Sequence, residues 1–381
     1  MKNRKNKWRL EILAFLLSLM CILTSCADIG VFRGRTEPGR DAPNPIISSH
    51  TAEDPETDTG ESKPAPQTTA VEDPPYFPST GYFGTYPQTP VTDETLLQLL
   101  NGLAGELPTP KKAQKWISYQ YYDQKRPKDY MWYIDVCYGD GRYRGVYFTE
   151  YRCRSTTDGT SATYSDVYDN GYRAGTVYWF AYAPLRWRVL SWDDKEGTAL
   201  LLCDSIIDAQ PFDITDMQGD GTSQYSASTI RTWLNTTFFN TAFSEAEKKM
   251  ILPTEVDFSE KSMNPYGQPG TIDYEERPFV WENTTDSIFL LSLEDVTNPA
   301  YGFPNDYRKP VVSRRAVPTA YALCQGCGVF RDGSVGAWML RLPHSNDSSH
   351  AGAITEDGYV GYYGVYSTYL GIRPAVQIRI Q

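Results

Sequence analysis

Met131-Trp-Tyr-Ile-Asp-Val-Cys137, Tyr138-Gly-Asp-Gly141 and Arg142-Tyr-Arg-Gly-Val-Tyr-Phe148 read as two strands joined by a Gly-Asp-Gly turn. Aromatic and β-branched residues fill both runs and suit a pleated, half-buried surface. The glycines supply the backbone freedom that a tight hairpin needs. Reading outward toward the C-terminus, Val177-Tyr-Trp-Phe-Ala-Tyr182 and Trp187-Arg-Val-Leu190 predict two further strands. Thr198-Ala-Leu-Leu-Leu-Cys203 is the short apolar run of a buried strand. Toward the N-terminus, Tyr82-Phe-Gly-Thr-Tyr-Pro-Gln-Thr-Pro90 predicts a strand whose prolines place it at an edge. Thr92-Asp-Glu-Thr-Leu-Leu-Gln-Leu-Leu100 follows as a helix, with Thr92 as cap, Asp93 and Glu94 at its positive end and Gly102 or Gly105 as its stop.

Beyond Cys203 the period shifts toward helix. Ser228 or Ser226 caps Thr229-Ile-Arg-Thr-Trp-Leu234, and Ser244-Glu-Ala-Glu247 has the spacing of a capping box opening a helix to Ile251. Asp286-Ser-Ile-Phe-Leu-Leu-Ser292 predicts a buried strand, and Ser292-Leu-Glu-Asp295 opens a short helix. Pro318 suits the first turn of a helix through Tyr321 and Leu323, which Gly326 ends. The chain then returns to strands at Ala337-Trp-Met-Leu-Arg341, at Ala353-Ile-Thr355 before the Glu356-Asp-Gly358 turn, and at Gly371-Ile-Arg-Pro-Ala-Val-Gln-Ile378. Short strands and short helices in mixed order, joined by long loops, predict an α+β fold. No repeat with a period of about 20–50 residues is visible.

The N-terminus of the 381-residue chain has a different composition. Lys2, Arg4, Lys5, Lys7 and Arg9 precede an almost wholly apolar run, Ile12 to Leu23, which is too short to span a bilayer. The run closes on Leu23-Thr-Ser-Cys26, which resembles the lipobox of a bacterial lipoprotein signal. That resemblance implies removal of residues 1–25 and a diacylglycerol on the Cys26 sulfur, anchoring the protein to the extracytoplasmic face of the cell membrane. Residues 26–79 are rich in Pro, Thr, Ser and acidic side chains, as in Ala52-Glu-Asp-Pro-Glu-Thr-Asp-Thr-Gly-Glu61. Such a segment has too little apolar surface to offset its ordering entropy, so a disordered acidic tether is expected, reaching several nanometres. The folded domain is expected over 80–381. Formal charge is −11, and removing residues 1–25, with five basic residues and Glu11, takes it to −15. A nucleic-acid partner needs basic patches and is excluded on this balance. Broad electrostatic docking on anionic lipid is disfavoured too, which leaves membrane attachment to the lipid on Cys26.

Candidate chemistry is sparse. With Cys21 in the signal and Cys26 modified, five cysteines remain, and an odd number cannot all pair. Cys324-Gln-Gly-Cys327 is the one close pair, readable as a local disulfide, a redox pair or half a zinc site; no second CxxC or HxxxH follows, so packed or locally bridged thiols are expected. The three histidines are His50 in the tether and His344 and His350 in one polar loop, His344-Ser-Asn-Asp-Ser-Ser-His350, which has no nucleophile elbow. Asp213, Asp216 and Asp220 offer oxygens of the kind calcium takes, but not in an EF-hand spacing, and the Glu-Pro-Asn and Gln-Pro-Asp triplets of sugar-binding lectins are absent. No cofactor is therefore predicted. Arg341 and Arg373 lie within apolar strands, where a guanidinium needs carboxylate or carbonyl partners. A structural network joining the two strands is expected. The alternative is a ligand pocket built from Trp338, Arg341, His344, His350 and Arg373. Walker A, Rossmann and HExxH patterns are all absent. The abundance of Tyr, 28 against 15 Phe, suits sheet faces and carbohydrate-contacting surfaces alike.

Seven segments taken in order resemble a family of bacterial exported proteins known as domain of unknown function 6273. They are Phe83-Gly-Thr-Tyr-Pro-Gln88, Trp187-Arg-Val-Leu190, Ser228-Thr-Ile-Arg-Thr-Trp-Leu-Asn235, Phe239-Asn-Thr-Ala-Phe-Ser-Glu245, Asp286-Ser-Ile-Phe-Leu-Leu-Ser-Leu-Glu294, Trp338-Met-Leu-Arg-Leu-Pro343 and Gly371-Ile-Arg-Pro-Ala375. Residues 107–183 resemble a β-rich elaboration of longer members, and Leu342 stands where the family pattern has Ser. The closing order, Trp-x-Leu-Arg, a hairpin and Gly-Ile-Arg-Pro, is similar to the end of the C-type-lectin-like fold of formylglycine-generating enzymes, which implies a core of that kind. The resemblance implies no activity. On display layout and aromatic content, the expected function is non-catalytic binding of a glycan, peptide or protein. The rivals are an extracytoplasmic enzyme, oxidative at Cys324 and Cys327, and a structural envelope protein.

Overall fold

The hairpin around the Gly-Asp-Gly turn forms as its sequence predicts. In the computed structural model, β3 (Met131–Tyr138) and β4 (Gly141–Phe148) pair antiparallel from Met131 opposite Phe148 to Tyr138 opposite Gly141. The structure describes residues 80–109, 111–119, 131–148, 171–214, 223–263, 282–329, 334–344 and 348–380. Cys26, the tether, Cys153, Asp216 and Asp220 lie outside the described residues.

An eight-stranded sheet runs in the order β10-β15-β6-β5-β4-β3-β2, with β1 pairing β5 off this path. Its strands are β1 (Thr80–Pro90), β2 (Ile117–Ser118), the β3–β4 hairpin, β5 (Val177–Asp193), β6 (Thr198–Cys203), β10 (Ile288–Phe289) and β15 (Ala375–Arg379). The two strands expected between Val177 and Leu190 are one continuous strand of 17 residues. Pro184 is accommodated opposite Thr85, where the register of β1 shifts between Tyr82 and Thr85. A five-stranded sheet has the order β13-β12-β11-β14-β7, built from β7 (Asp208–Ala209), β11 (Trp338–Pro343), β12 (His350–Ile354), β13 (Val360–Gly364) and β14 (Gly371–Ile372). β8 (Thr254–Val256) and β9 (Thr284–Asp286) form a separate antiparallel pair. Mixed sheets with few and short helices make the described region α+β, as expected.

The run Gly371–Ile378 is not one strand. Gly371 and Ile372 belong to the five-stranded sheet, and Ala375 onward belongs to the eight-stranded sheet. Pro374 has no N–H to donate to a ladder, so the pairing partner changes there. The predicted strand Asp286–Ser292 is also divided. Asn235 sets its side chain against the break: its Oδ1 accepts from the N–H groups of Ser287 and Ile288 at 2.8 and 3.2 Å, and its Nδ2 donates to the Ile288 carbonyl at 3.0 Å. One amide thus replaces strand partners locally.

The helices follow their caps. α1 (Glu94–Ala104) is capped by Asp93 rather than Thr92, its carboxylate accepting from Leu96 N–H at 2.7 Å, and it stops at Gly105, whose φ of 75° is left-handed. Ser228 caps α2 (Thr229–Trp233), which continues through a π turn (Leu234–Phe238) into α3 (Phe239–Ala242). Ile230, Leu234, Phe238 and Ala242, each four apart, are all buried, and the wider turn helps hold this stripe on one face. The capping box of Ser244 and Glu247 opens α4 (Glu245–Lys248), which ends before Ile251 because Ile251 bridges to Ile378. α5 (Glu260–Met263) is a single turn. α6 (Ala320–Cys324) is capped by Thr319, with Pro318 just ahead of the cap rather than within the helix.

Glu247 also fixes β1, since its Oε1 accepts from Gly84 N–H at 2.8 Å. Trp187, fully buried, donates its indole N–H to the Phe83 carbonyl at 2.6 Å. Gly84 has φ +73°, and a Cβ there would lie 2.6 Å from the Phe243 ring and 3.0 Å from the Ala242 carbonyl oxygen. Gly84→Ala should therefore lower stability by about 2–4 kcal/mol, from left-handed strain and overpacking together. Gly102→Ala, with open space around it in exposed α1, should instead raise stability by up to about 1 kcal/mol. Denaturant unfolding of both variants checks the pair.

Candidate functional site

β11 carries Arg341 into the interior, 5% exposed, where a guanidinium has to find acceptors. Its Nη1 donates to the Leu290 carbonyl and to Asp295 Oδ2, at 2.9 Å to the carboxylate. Asp295 is held for that contact by Ser292, whose N–H and Oγ both donate to the same Oδ2. The stretch expected to open a helix at Ser292 therefore forms only a 3₁₀ turn, Asp295–Thr297, organised around a carboxylate that serves Arg341. Arg341 Nε has no hydrogen-bond partner.

Arg341 and Asp295 line an open cleft of about 280 Å³. Glu255 and Asp257 come from the β8 edge, Glu294 flanks Asp295, and Tyr301 and Phe289 supply aromatic wall. All four residues of Thr254-Glu-Val-Asp257 border the cleft, with Val256 buried and Glu255 exposed. Four carboxylates and one guanidinium make the lining strongly acidic. Burial pushes the Tyr301 phenol up, with Asp295 and Glu294 adding to the effect. The arrangement can accept several hydrogen bonds and attract positive charge.

The five residues expected to form a pocket do not come together. Only Arg341 of the five lines the cleft among the described residues. Trp338, three residues before Arg341, falls on the opposite side of the strand. It is fully buried, donates Nε1–H to the Arg314 carbonyl at 2.9 Å, and lies under the Arg373 guanidinium at 5.0 Å from its ring. Arg373, 2% exposed, donates Nε–H to the Cys203 carbonyl at 2.7 Å, and its Nη1 has no partner. Burial, with nearby Arg188 adding to it, pulls its pKa down to about 10. The expected network between Arg341 and Arg373 does not form, because each guanidinium takes different acceptors. His344 and His350 flank the β11–β12 turn with ring centroids 6.2 Å apart, and His344 packs edge-on against Tyr362 at 4.6 Å. Among the described residues no three His, Cys, Asp or Glu side chains gather as metal ligands. No disulfide joins Cys324 to Cys327: both are buried thiols, and burial pushes the Cys327 thiol far up, which keeps it protonated.

A second polar centre is sealed in the core. Arg144, from β4, grips Asp135 through Nε and Nη2, both at 2.8 Å. Its guanidinium lies 4.3 Å from the Tyr133 ring and within 6 Å of Tyr86, Tyr182 and Tyr321. Burial alone would raise the Asp135 carboxyl, but Arg144, helped by Arg142 and Tyr182, holds it below its usual range. Asp208, on β7, is different. It accepts from Tyr86 O–H at 2.8 Å and Ala209 N–H at 2.7 Å, and burial pushes its pKa up to about 7. Tyr321 O–H and Tyr119 O–H share a 2.5 Å hydrogen bond beside it.

Residues 196–380 match a family described as a domain of unknown function (DUF6273). The matched span takes in everything from β6 to β15 and omits β1 to β5. Comparison with curated proteins and with solved structures returns no match.

Asp208 makes stability depend on pH. A folded-state pKa near 7 lies above the unfolded value near 4, so its contribution is complete below about pH 4 and is lost as pH rises through about 7. Asp208→Asn, which imitates the protonated acid, should gain on the wild type by about 1.4 kcal/mol per pH unit across that window. Unfolding free energies of the two at pH 4 and pH 8 check this; a constant difference would show that Asp208 does not carry the dependence.

Proposed function

We propose that the protein is a lipid-anchored binding module of the extracytoplasmic face, taking a small polar ligand in the Arg341 cleft without turning it over. The observation that carries the reading is the cleft: Arg341 is held by Asp295 and lines a space of single-ring size between carboxylates and the Tyr301 ring. Orientation by a few placed polar groups and one aromatic wall is the chemistry of recognition of glycans and short peptides. The anchoring half rests on the basic start, the short apolar run and Leu23-Thr-Ser-Cys26. The order of the C-terminal segments, Trp338 to Pro343, a hairpin, then Gly371 to Ala375, supports a C-type-lectin-like core, a frame in which loops present binding surfaces.

Two measurements test the reading. Cells expressing the full chain and fed labelled palmitate should incorporate label into the wild type and not into Cys26→Ser, which should leave the membrane fraction; equal labelling of both would refute the anchor. Saturation-transfer NMR on the full chain in detergent, with a mixture of monosaccharides, amino acids and dipeptides, should show transfer to a subset of them. Tyr301→Ala should abolish that transfer. Transfer to none of them, or transfer undiminished in the variant, would refute the cleft as the binding site.

A further inference from the structure

We infer that α6 is a pH-gated plug: ionisation of Asp208, buried against it, loosens this short helix and opens the Cys324 and Cys327 thiols to solvent.

The surroundings of Asp208 leave little to support a charge. β7, which carries it, packs against α6, and α6 packs in turn on β1. Asp208 is 1% exposed, accepts from Tyr86 O–H and Ala209 N–H, and forms no ion pair among the described residues. The titratable and charged groups that face it are Tyr86 of β1, Tyr133 of β3, Arg144 of β4, Tyr321 of α6 and Cys327 just beyond that helix. On β14, its neighbours Gly371 and Ile372 bring no charge. Arg144 is the one cation of this set, and its Nε and Nη2 already hold Asp135. A buried carboxylate without a cation of its own is costly, so Asp208 favours its neutral form until water reaches it. Burial pushes its pKa up to about 7 against the opposing hydrogen bonds of Tyr86 and Ala209 N–H and the charge of Arg144.

The wall that can yield is α6. It has five residues, between its Thr319 cap and Gly326, whose φ is +96°. Hydroxyls dock it. Tyr321 shares the 2.5 Å hydrogen bond with Tyr119 and accepts from Arg144 Nη1 at 3.4 Å, and Tyr172 O–H donates to the Ala320 carbonyl at 2.9 Å. A helix this short, held by side-chain hydrogen bonds, opens locally at lower cost than the paired strands around it. Negative charge on Asp208 competes with Tyr321 for Arg144 and draws water, which an opened α6 admits. Cys324 ends the helix, and Cys327 donates its N–H to the Ala322 carbonyl at 3.0 Å. Both thiols are fully buried, so opening α6 releases them together. Acid pH seals the pair and neutral pH presents it.

Labelling of the full chain in detergent with N-ethylmaleimide between pH 5 and pH 8.5, with modified cysteines located by mass spectrometry, tests the inference. Cys137 is exposed and gives the rate of an open thiol at each pH, while Cys203, buried in β6, reports opening of the whole core. Relative to Cys137, initial labelling of Cys324 and Cys327 should rise about tenfold or more from pH 5.5 to pH 7.5 and then level, because opening restores an ordinary carboxyl and each pKa unit is a factor of about ten. The rise should be absent in Asp208→Asn. In Tyr86→Phe, which removes a hydrogen bond that lowers the Asp208 pKa, the rise should continue to higher pH before levelling. A flat ratio in the wild type, a rise retained in Asp208→Asn, or a levelling point unmoved in Tyr86→Phe would overturn the inference. Cys203 rising in step with Cys324 and Cys327 would overturn it as well, by showing that the core opens as a whole.

Discussion

One peptide unit, Arg373–Pro374, carries the chain from one sheet into the other. β14, just before it, lies between β11 and β7; β15, just after it, lies between β10 and β6. Both sheets therefore close around strands that meet at this crossing. Cys203 is held from both sides of it: its carbonyl accepts from Arg373 Nε, and its N–H donates to the Pro374 carbonyl at 2.9 Å. The crossing leaves a guanidinium in the interior with Trp338 beneath it and no carboxylate ion pair among the described residues. Backbone carbonyls solve the same problem for Arg314, whose Nε and Nη2 donate to Val296, Pro304 and Asp306. Burying arginines on carbonyl oxygens, rather than on carboxylates, fixes loops to strands without placing more negative charge in the core.

Carboxylates are used differently. Asp135 is matched by Arg144 and stays ionised in a cage of tyrosines. Asp208 has a phenol and an amide as direct partners and no ion pair among the described residues, so burial outweighs both hydrogen bonds and raises its pKa to about 7. At the cleft, Asp295 has an ion pair, whereas Glu255 and Asp257 take neutral hydrogen bonds, with Lys261 acting on Asp257 at longer range. The matched groups hold the fold together. The unmatched groups in the cleft, open to solvent, are available to something that is not part of the chain.

How much of this was legible depended on distance along the chain. The β3–β4 hairpin, the Ser228 cap and the Ser244–Glu247 capping box are patterns closed within a few residues, and they could be read directly. Asp93 takes the cap expected of Thr92 because adjacent short polar residues compete for one position and tertiary contacts decide between them. The break at Ser287 was not legible, since Asn235, which causes it, lies 52 residues earlier. The same is true of the site. Arg341 stood out as a charge in an apolar strand, but its partner Asp295 is 46 residues away and was read only as part of a helix start. Trp338 and the histidines looked like companions of Arg341 because they are close in sequence, whereas strand alternation and the turn separate them in space. Glu255 and Asp257 went unread, because nothing local in the sequence says that they border the same space as Arg341.

The cage around Arg144 has a consequence for where this protein may be cut. Its guanidinium and its partner Asp135 belong to the hairpin that precedes the family-matched span, whereas Asp208, Tyr321 and Gln325 of the same cluster belong to that span. β6 opens the span with β5 bonded along it from Trp187 to Asp193. A fragment beginning at residue 196 would thus present a bare strand edge and an uncovered carboxylic acid among tyrosines, a surface prone to self-association. The limit of shared sequence and the limit of independent folding do not coincide here. The smallest unit expected to stand alone begins before β1, consistent with the compact body that extends from residue 78 to 381.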